Sequence, residues 1–249
     1  MDVGVLLVLI LVVAFATYFQ TVTGYGLSII VIGVSSNFDL LPLSQAASII
    51  SLISLVNCAL ALPPKKWGVI DWSIVKKVSL SAIPASVLGV VLLGYLSHQA
   101  TNTLQLILGL SIVLAAGQSL FRPAPFKQIS STASFLSYGS VAGLGGGLFG
   151  MPGPPIIFLM YRQPLDMASI KLILLAIFFF ISLFRELYLI VAEGFQADNY
   201  ISAVLSLPVI FLMTWLGHKY PPKLSPVAMR RLTFFVLIVL GSLLLLASI

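Results

Sequence analysis

Apolar runs of about twenty residues recur along the whole 249-residue chain, separated by short polar connectors. A run of that length crosses a bilayer core of roughly 30 Å as one helix. In hydrocarbon the backbone must also satisfy its own hydrogen bonds, which leaves helices or a closed barrel. The runs here are too long for strands, so the chain is read as an all-α polytopic membrane protein. Only 8% of its residues are charged, against roughly 25% in soluble domains, and a soluble reading is excluded. The net charge of +6 is loop charge read by the insertion machinery, not a nucleic-acid patch. Cys58 is the single cysteine, which rules out an intrachain disulfide and a cysteine-rich metal site. The first run lacks a basic leader and a small-residue cleavage pattern, and is expected to stay in the membrane.

The runs predict spans over 3–19, 43–62, 78–96, 104–121, 168–192, 200–217 and 229–248. Two segments depart from this pattern. One is the polar, glycine-bearing patch Gln20-Thr21-Val22-Thr23-Gly24-Tyr25-Gly26, followed by a short apolar stretch over 27–32. The other is Gly143 to Pro155, reading GLGGGLFGMPGPP, between an apolar approach over 129–141 and a stretch over 156–161. Glycine is costly inside a helix, and proline removes a donor and clashes with the preceding turn. The segment from Gly143 is therefore expected to interrupt its helix. Backbone freed in this way must find partners within protein or at a water-filled cavity. Paired, interrupted segments of this kind point to a transporter site.

Arg122-Pro-Ala-Pro-Phe-Lys127 divides the chain into residues 1–122 and 128–249. Shifting by 124 residues puts Gly26 on Gly150, Ser28 on Pro152 and Pro84 on Pro208, so the halves read as a diverged duplication. Charge then gives orientation. Twelve of the thirteen Lys and Arg residues fall in four connectors: Lys65, Lys66, Lys76 and Lys77; Arg122 and Lys127; Arg162 and Lys171; and Lys219, Lys223, Arg230 and Arg231. The positive-inside rule places all four in the cytoplasm. The loops around Asp39, His98 and Glu193 to Asp198 contain no Lys or Arg and are expected outside. The connectors flanking the glycine-rich segment are both cytoplasmic, so that segment is expected to enter and return on one side. The same count makes the amino-terminal segment a hairpin entering from outside. Each half is then one re-entrant helical hairpin plus three transmembrane helices. That odd number of crossings makes the halves two inverted repeats, with both termini outside and the hairpin tips near the midplane. Eight simple spans would instead force one basic connector outside.

Four stretches carry a family resemblance: TGYG at Thr23–Gly26, GVIDW at Gly68–Trp72, GGGLFGMPGPP at Gly145–Pro155, and Pro208 followed by LGHK and RRL. Their order and spacing resemble the sulfite exporter TauE/SafE family of permeases across essentially the whole chain. The resemblance implies a secondary transporter of the cell membrane, an exporter of small sulfur-containing anions such as sulfite, thiosulfate or organosulfonates. Relatives that take up thiosulfate rely on several cysteines, and Cys58 alone argues against such a relay. An anion channel, or a carrier of non-sulfur organic acids, is the alternative. Accumulation against a gradient separates carrier from channel.

An anion suits the residues. Broken helices present free N–H groups and a partial positive charge at their N-termini. The candidate substrate-binding residues are Thr21, Thr23, Gly24, Tyr25, Gly26 and Ser28 in the first half. In the second they are Gly145, Gly146, Gly147, Gly150, Pro152, Gly153 and Arg185. The glycines serve tight helix packing in the lesser alternative reading, and Tyr18 and Tyr25 either line the path or pack. Asn57 and Gln118 are polar within spans, where interhelical hydrogen bonding competes with a site role. Arg185 and Glu186 are the one charged pair well inside a span. Adjacent residues point about 100° apart on a helix, so Glu186 is expected to be a poor partner. That leaves Arg185 for the substrate or for snorkelling to the outer interface. With His98 and His218 in loops on opposite sides and no HExxH-like helix, neither an enzyme nor a metal or other cofactor is expected. The partners are a small anion and the lipid bilayer, and oligomeric state is left open.

Overall fold

The computed structural model describes residues 3–99, 101–120, 126–194, 197–222 and 226–247. All regular structure there is helical. The helices are α1 (Val3–Thr23), α2 (Leu27–Asn37), α3 (Leu43–Ala61), α4 (Trp72–Gln99), α5 (Thr101–Leu120), α6 (Thr132–Phe149), α7 (Pro154–Tyr161), α8 (Met167–Glu193), α9 (Ala197–Lys219) and α10 (Pro226–Ala247), with a 3-10 helix at Pro64–Val69. Among the described residues, α1, α3, α4 and α8 are long and apolar enough to cross a bilayer. The domain boundary at Arg122 lies outside the described residues.

Two elements are broken, and each break joins a long arm to a short one. In the first, α1 has 21 residues and α2 has 11, or about 32 Å and about 16 Å at the helical rise. α1 is thus long enough to cross a bilayer core of roughly 30 Å, and α2 spans about half of it. In the second, α6 has 18 residues and α7 has 8. Its two feet are clasped together. The Phe126 N–H donates to the Arg162 carbonyl at 2.7 Å, and the Arg162 guanidinium lies 4.1 Å from the centre of the Phe126 ring. Gln163 closes the clasp, accepting from the Ser130 N–H and donating to the Ser130 hydroxyl, both at 2.9 Å. The chain enters and leaves this pair at one end.

Local chemistry sets boundaries that differ from the sequence expectation. α4 starts at Trp72, six residues before the expected span, because Asp71 Oδ1 accepts from the Ser73 and Ile74 N–H groups at 3.0 and 3.3 Å. This takes Lys76 and Lys77 out of the connector and into the helix. Asp166 does the same for α8, accepting from the Ala168 and Ser169 N–H groups at 2.9 Å and from the Ser169 hydroxyl at 2.6 Å. Those bonds, the Ser169 hydroxyl foremost, hold the Asp166 carboxyl below its usual range. Lys171, expected in a connector, therefore sits in the second turn of α8. Pro84 and Pro208 both stay inside their helices, α4 and α9.

Packing repeats across the chain. α1 lies along α9 and α6 along α4; α3 packs on α9 and α8 on α4; α2 packs on α10 and α7 on α5. α3 meets α8 and α5 meets α10. One apolar cluster joins α1, α2, α3, α5 and α10 through residues such as Val13, Leu27, Ile49, Ile112 and Leu240. A second joins the end of α3 to α4, α6, α7 and α8 through Cys58, Ile74, Phe135, Ile156 and Ile173. Outside these clusters Leu11, Leu80, Val191 and Leu246 are largely exposed. Such a surface is unfavourable in water and suited to acyl chains.

Candidate functional site

The first break is shorter than the polar patch that marks it. Gln20 and Thr21 are still helical, and only residues 24–26 leave the helix. Gly24 and Gly26 take φ of +90° and +107°, left-handed conformations that other residues adopt only with strain. The Gly24 N–H still closes α1 on the Gln20 carbonyl at 2.7 Å. The first amides of α2 have no acceptor within their own helix. Gln20 takes one of them, its Oε1 accepting from the Leu27 N–H at 3.1 Å.

From Gln20 a buried network runs across three helices. Gln20 Nε2 donates to Asn57 Oδ1 at 2.9 Å and to Cys58 Sγ at 3.5 Å. Asn57 Nδ2 donates to the hydroxyls of Thr21 at 3.1 Å and Thr214 at 2.9 Å. Thr21 passes its own proton to the Thr17 carbonyl at 2.8 Å. A buried network of this kind ties α1, α3 and α9 in one register. Asn57 thus acts as an interhelical hydrogen-bonding residue. Gln20 and Thr214 were not singled out from the sequence; a glutamine just before a glycine turn in an apolar run was the available signal. The side chain of Gln118 lies outside the described residues.

The remaining first-half candidates gather around the turn itself. The Thr23 hydroxyl is 2.8 Å from the carbonyls of Phe19 and Tyr25, and donates to one at a time. The Tyr25 ring packs edge-on against Phe19 and Tyr161, and Tyr161 donates to the Thr23 carbonyl at 3.5 Å. Ser28 is buried in the first turn of α2. Tyr18 donates to the Tyr220 carbonyl at 2.8 Å, pinning α1 to the end of α9.

The second break also proves shorter than expected. α6 continues as helix through Gly143, Gly145, Gly146 and Gly147, and leaves it only at Gly150, with φ +63°. Propensity lost to tertiary packing here. Gly139, Gly143 and Gly147 recur every four residues on one face of α6, where any side chain would meet the backbone or Ser81 hydroxyl of α4. Gly146 faces Ile181 and Pro152, and Gly145 faces the Met151 carbonyl. Beyond the turn, Pro154 and Pro155 open α7, where missing N–H groups cost nothing.

Arg185 holds this second break. Its side chain is 1% exposed, Nε donates to the Gly147 carbonyl at 3.2 Å, and Nη1 meets Glu186 Oε1 at 3.2 Å. The expectation that Glu186 makes a poor partner is corrected, because bending of the two side chains closes the angle between adjacent positions. The expected snorkelling is not seen either. A guanidinium at the carboxyl end of α6 also complements that helix's partial negative charge.

The two breaks approach each other through their short helices. A Cβ at Gly153 would stand 3.3 Å from Ile29 Cδ1 in the first turn of α2. Thr23 and Tyr25, by contrast, lie beside Tyr161 at the far end of α7. The structure therefore joins Thr23 and Tyr25 to the foot of α7 and Ile29 to its head, and sets Gly24 against Lys171 of α8. Thr21 and Arg185 stand apart, in separate anchoring networks.

Long apolar helices broken by glycine turns inside a helical bundle define a multi-pass membrane transporter. A model of the family described as "Sulfite exporter TauE/SafE" matches residues 9–244. The chain is also 40% identical over 233 residues to a protein of Cupriavidus necator described as "Probable sulfite/organosulfonate exporter TauE", covering 94% of this chain and 91% of that one. The chain belongs to the sulfite exporter TauE/SafE family. It is a transporter of the cell membrane, not an enzyme. No solved structure matches it.

Cys58 is buried, with Gln20 and Ser54 on its sulfur, and the sequence offers no second thiol. Cys58→Ser is expected to keep the wild-type transport rate per molecule of protein. Complete loss at normal protein levels would point instead to thiol chemistry.

Proposed function

We propose that this protein exports small sulfur-containing anions, sulfite or an organosulfonate, bound between the two broken helix pairs. The carrying observation is that α2 begins deep within protein, with Leu27 and Ser28 buried, and its first turn abuts Gly153 at the head of α7. A helix start with unpaired amides is a ready anion site. Gln20 occupies the Leu27 amide, so the amides of Ser28 and Ile29 and the Ser28 hydroxyl are the donors assigned to the anion. Thr23, Gly24, Tyr25 and Gly26 form the wall on one side and Gly150, Pro152 and Gly153 that on the other, while Gly145, Gly146 and Gly147 support the second wall through the packing of α6. Thr21 and Arg185 join the site through the networks that position these walls. The name of the Cupriavidus necator relative supports the sulfur anion as cargo.

The same reading makes residues 1–122 and 128–249 inverted repeats. In support, exchanging the first five helices for the last five carries most of the packing pattern onto itself. The 124-residue shift also relates Ala47, which meets Gly150, to Lys171, which meets Gly24, two residues before the position matched to Gly150. Both termini then lie outside. Reporter fusions at each terminus and after Lys127 test this, and a cytoplasmic carboxy terminus rejects it.

Reconstitution into liposomes tests the function. The wild-type protein is expected to move sulfite or an organosulfonate against its gradient, with Gly150→Leu inactive although inserted. A Cβ at Gly150 would lie 2.6 Å from the Ala47 carbonyl, so the turn itself must shift. Movement of dicarboxylates alone, or flux only down the gradient, would overturn the reading in favour of an organic-acid carrier or a channel.

A further inference from the structure

We propose that Lys171 is a binding contact for the transported anion, at the side of the first break where α1 ends and α8 begins. This rests on the anion-export reading above and adds to it a residue, and a station, that the glycine turns alone do not supply.

The first argument is one of fit. The stem of Lys171 lies across the turn: a Cβ at Gly24 would stand 2.9 Å from its Cγ and 3.1 Å from its Cα. In the other half Gly150, which the 124-residue shift places on Gly26, meets the backbone of Ala47, and the same shift relates positions 47 and 171. The other half carries only a methyl group at this register. The length and charge of Lys171 therefore exceed what the corresponding position of the other half carries.

The second argument is electrostatic. Lys171 is half-buried, and among the described residues no carboxylate lies within ion-pairing distance of it. The carboxylates nearest in sequence to this end of the bundle are committed elsewhere. Asp166 caps α8 through Ala168 and Ser169, and Asp71 caps α4 through Ser73 and Ile74. The groups that reach Lys171 electrostatically are Lys66 and His218. Neither can neutralise it. From α1 and α7 the same turn receives the Thr23 and Tyr161 hydroxyls, which are neutral. A partly dehydrated ammonium facing only like-charged and neutral groups is stabilised by an anion that comes to it. Lysine supplies a compact point charge with three donors, which suits a sulfite or sulfonate oxygen and does not demand one fixed geometry. In an exporter, a station that binds without clamping also releases.

Transport of sulfite by the full-length protein in liposomes, measured for wild type, Lys171→Ala, Lys171→Arg and Lys66→Ala, decides the matter. Lys171→Ala reproduces the residue found at position 47, so folding is expected to survive. The Michaelis constant for sulfite should rise about tenfold or more in Lys171→Ala, the loss of one charged hydrogen bond. Lys171→Arg should restore most of the affinity, and Lys66→Ala should change it by only about twofold, as an exposed charge acting at a distance would. An unchanged Michaelis constant in Lys171→Ala, with the wild type active, overturns this inference and leaves the export reading standing. Equal loss in the alanine and arginine variants, with less folded protein in both, makes Lys171 a packing residue and also overturns it. A wild type that moves neither sulfite nor any organosulfonate overturns the export reading, and this inference with it.

Discussion

Arg185→Met is expected to destabilise the folded protein by about 3–5 kcal/mol, the usual cost of removing one partner from a buried ion pair. Arg185 is 1% exposed and Glu186 4%. Without the guanidinium, Glu186 loses the cation 3.2 Å away and the Gly147 carbonyl loses its donor at the end of α6. Arg185 lies eight residues before the end of α8, about 12 Å along the axis, too deep for either group to reach the interface without moving the helix. The expected result is a large fall in the thermal midpoint of the purified protein. Adding Glu186→Gln to Arg185→Met should recover a substantial part of it, since the stranded charge is then gone. A single variant as stable as wild type would refute the anchoring role of Arg185.

Gly143→Leu is expected to be equally damaging for a different reason. At Gly143 and Gly147 the backbones of α6 and α4 approach so closely that a Cβ would overlap the Ala82 or Ser86 carbonyl. The contact is reciprocal, because a Cβ at Gly89 of α4 would stand 2.5 Å from the Leu144 carbonyl. Membrane helices lack a hydrophobic force between them and gain their attraction from such close packing. Forcing in a side chain costs about 1–3 kcal/mol by overpacking alone, and more where backbone blocks it. Gly94 of α4 is the internal control: nothing lies within 4 Å of its would-be Cβ. Gly94→Ala should be neutral or stabilising by about 0.5–1 kcal/mol, the propensity difference. Size-exclusion profiles and thermal midpoints compare the two, and equal stability of Gly143→Leu and Gly94→Ala would refute the close-contact account.

The glycines show what was legible in the sequence and what was not. Helical character, the positions of most spans and the existence of two interrupted elements were readable from apolar run length and from glycine and proline placement. The extent of the second interruption was not. Gly143 to Gly147 looked like part of the break because local propensity disfavours helix there, whereas Gly143 and Gly147 serve close contact with Ala82 and Ser86, more than fifty positions away. The four-residue spacing of Gly139, Gly143 and Gly147 was visible, but it signals a partner without naming it. Polar residues within apolar runs behaved similarly. Asn57 was recognisable as a residue needing partners, yet its links to Gln20, Thr21 and Thr214 depend on which helices become neighbours. Lys171 was counted as loop charge because its helix start is set by Asp166, five residues earlier. The Arg185–Glu186 pair was misjudged because backbone geometry alone ignores the reach of long side chains.

The cross-packing of the helices has a consequence for synthesis. α1 ends at Thr23, and its long-range neighbour α9 starts at Ala197. At a translation rate of about 5–20 residues per second, the intervening chain takes roughly 10–35 s to emerge. During that interval Asn57 has no Thr214 to receive its second proton, and Tyr18 has no Tyr220 carbonyl. The first half therefore waits in the bilayer with polar side chains short of partners, within the reach of insertion factors and membrane proteases. Translation rate and lipid environment then bear on yield as directly as the stability of the finished bundle.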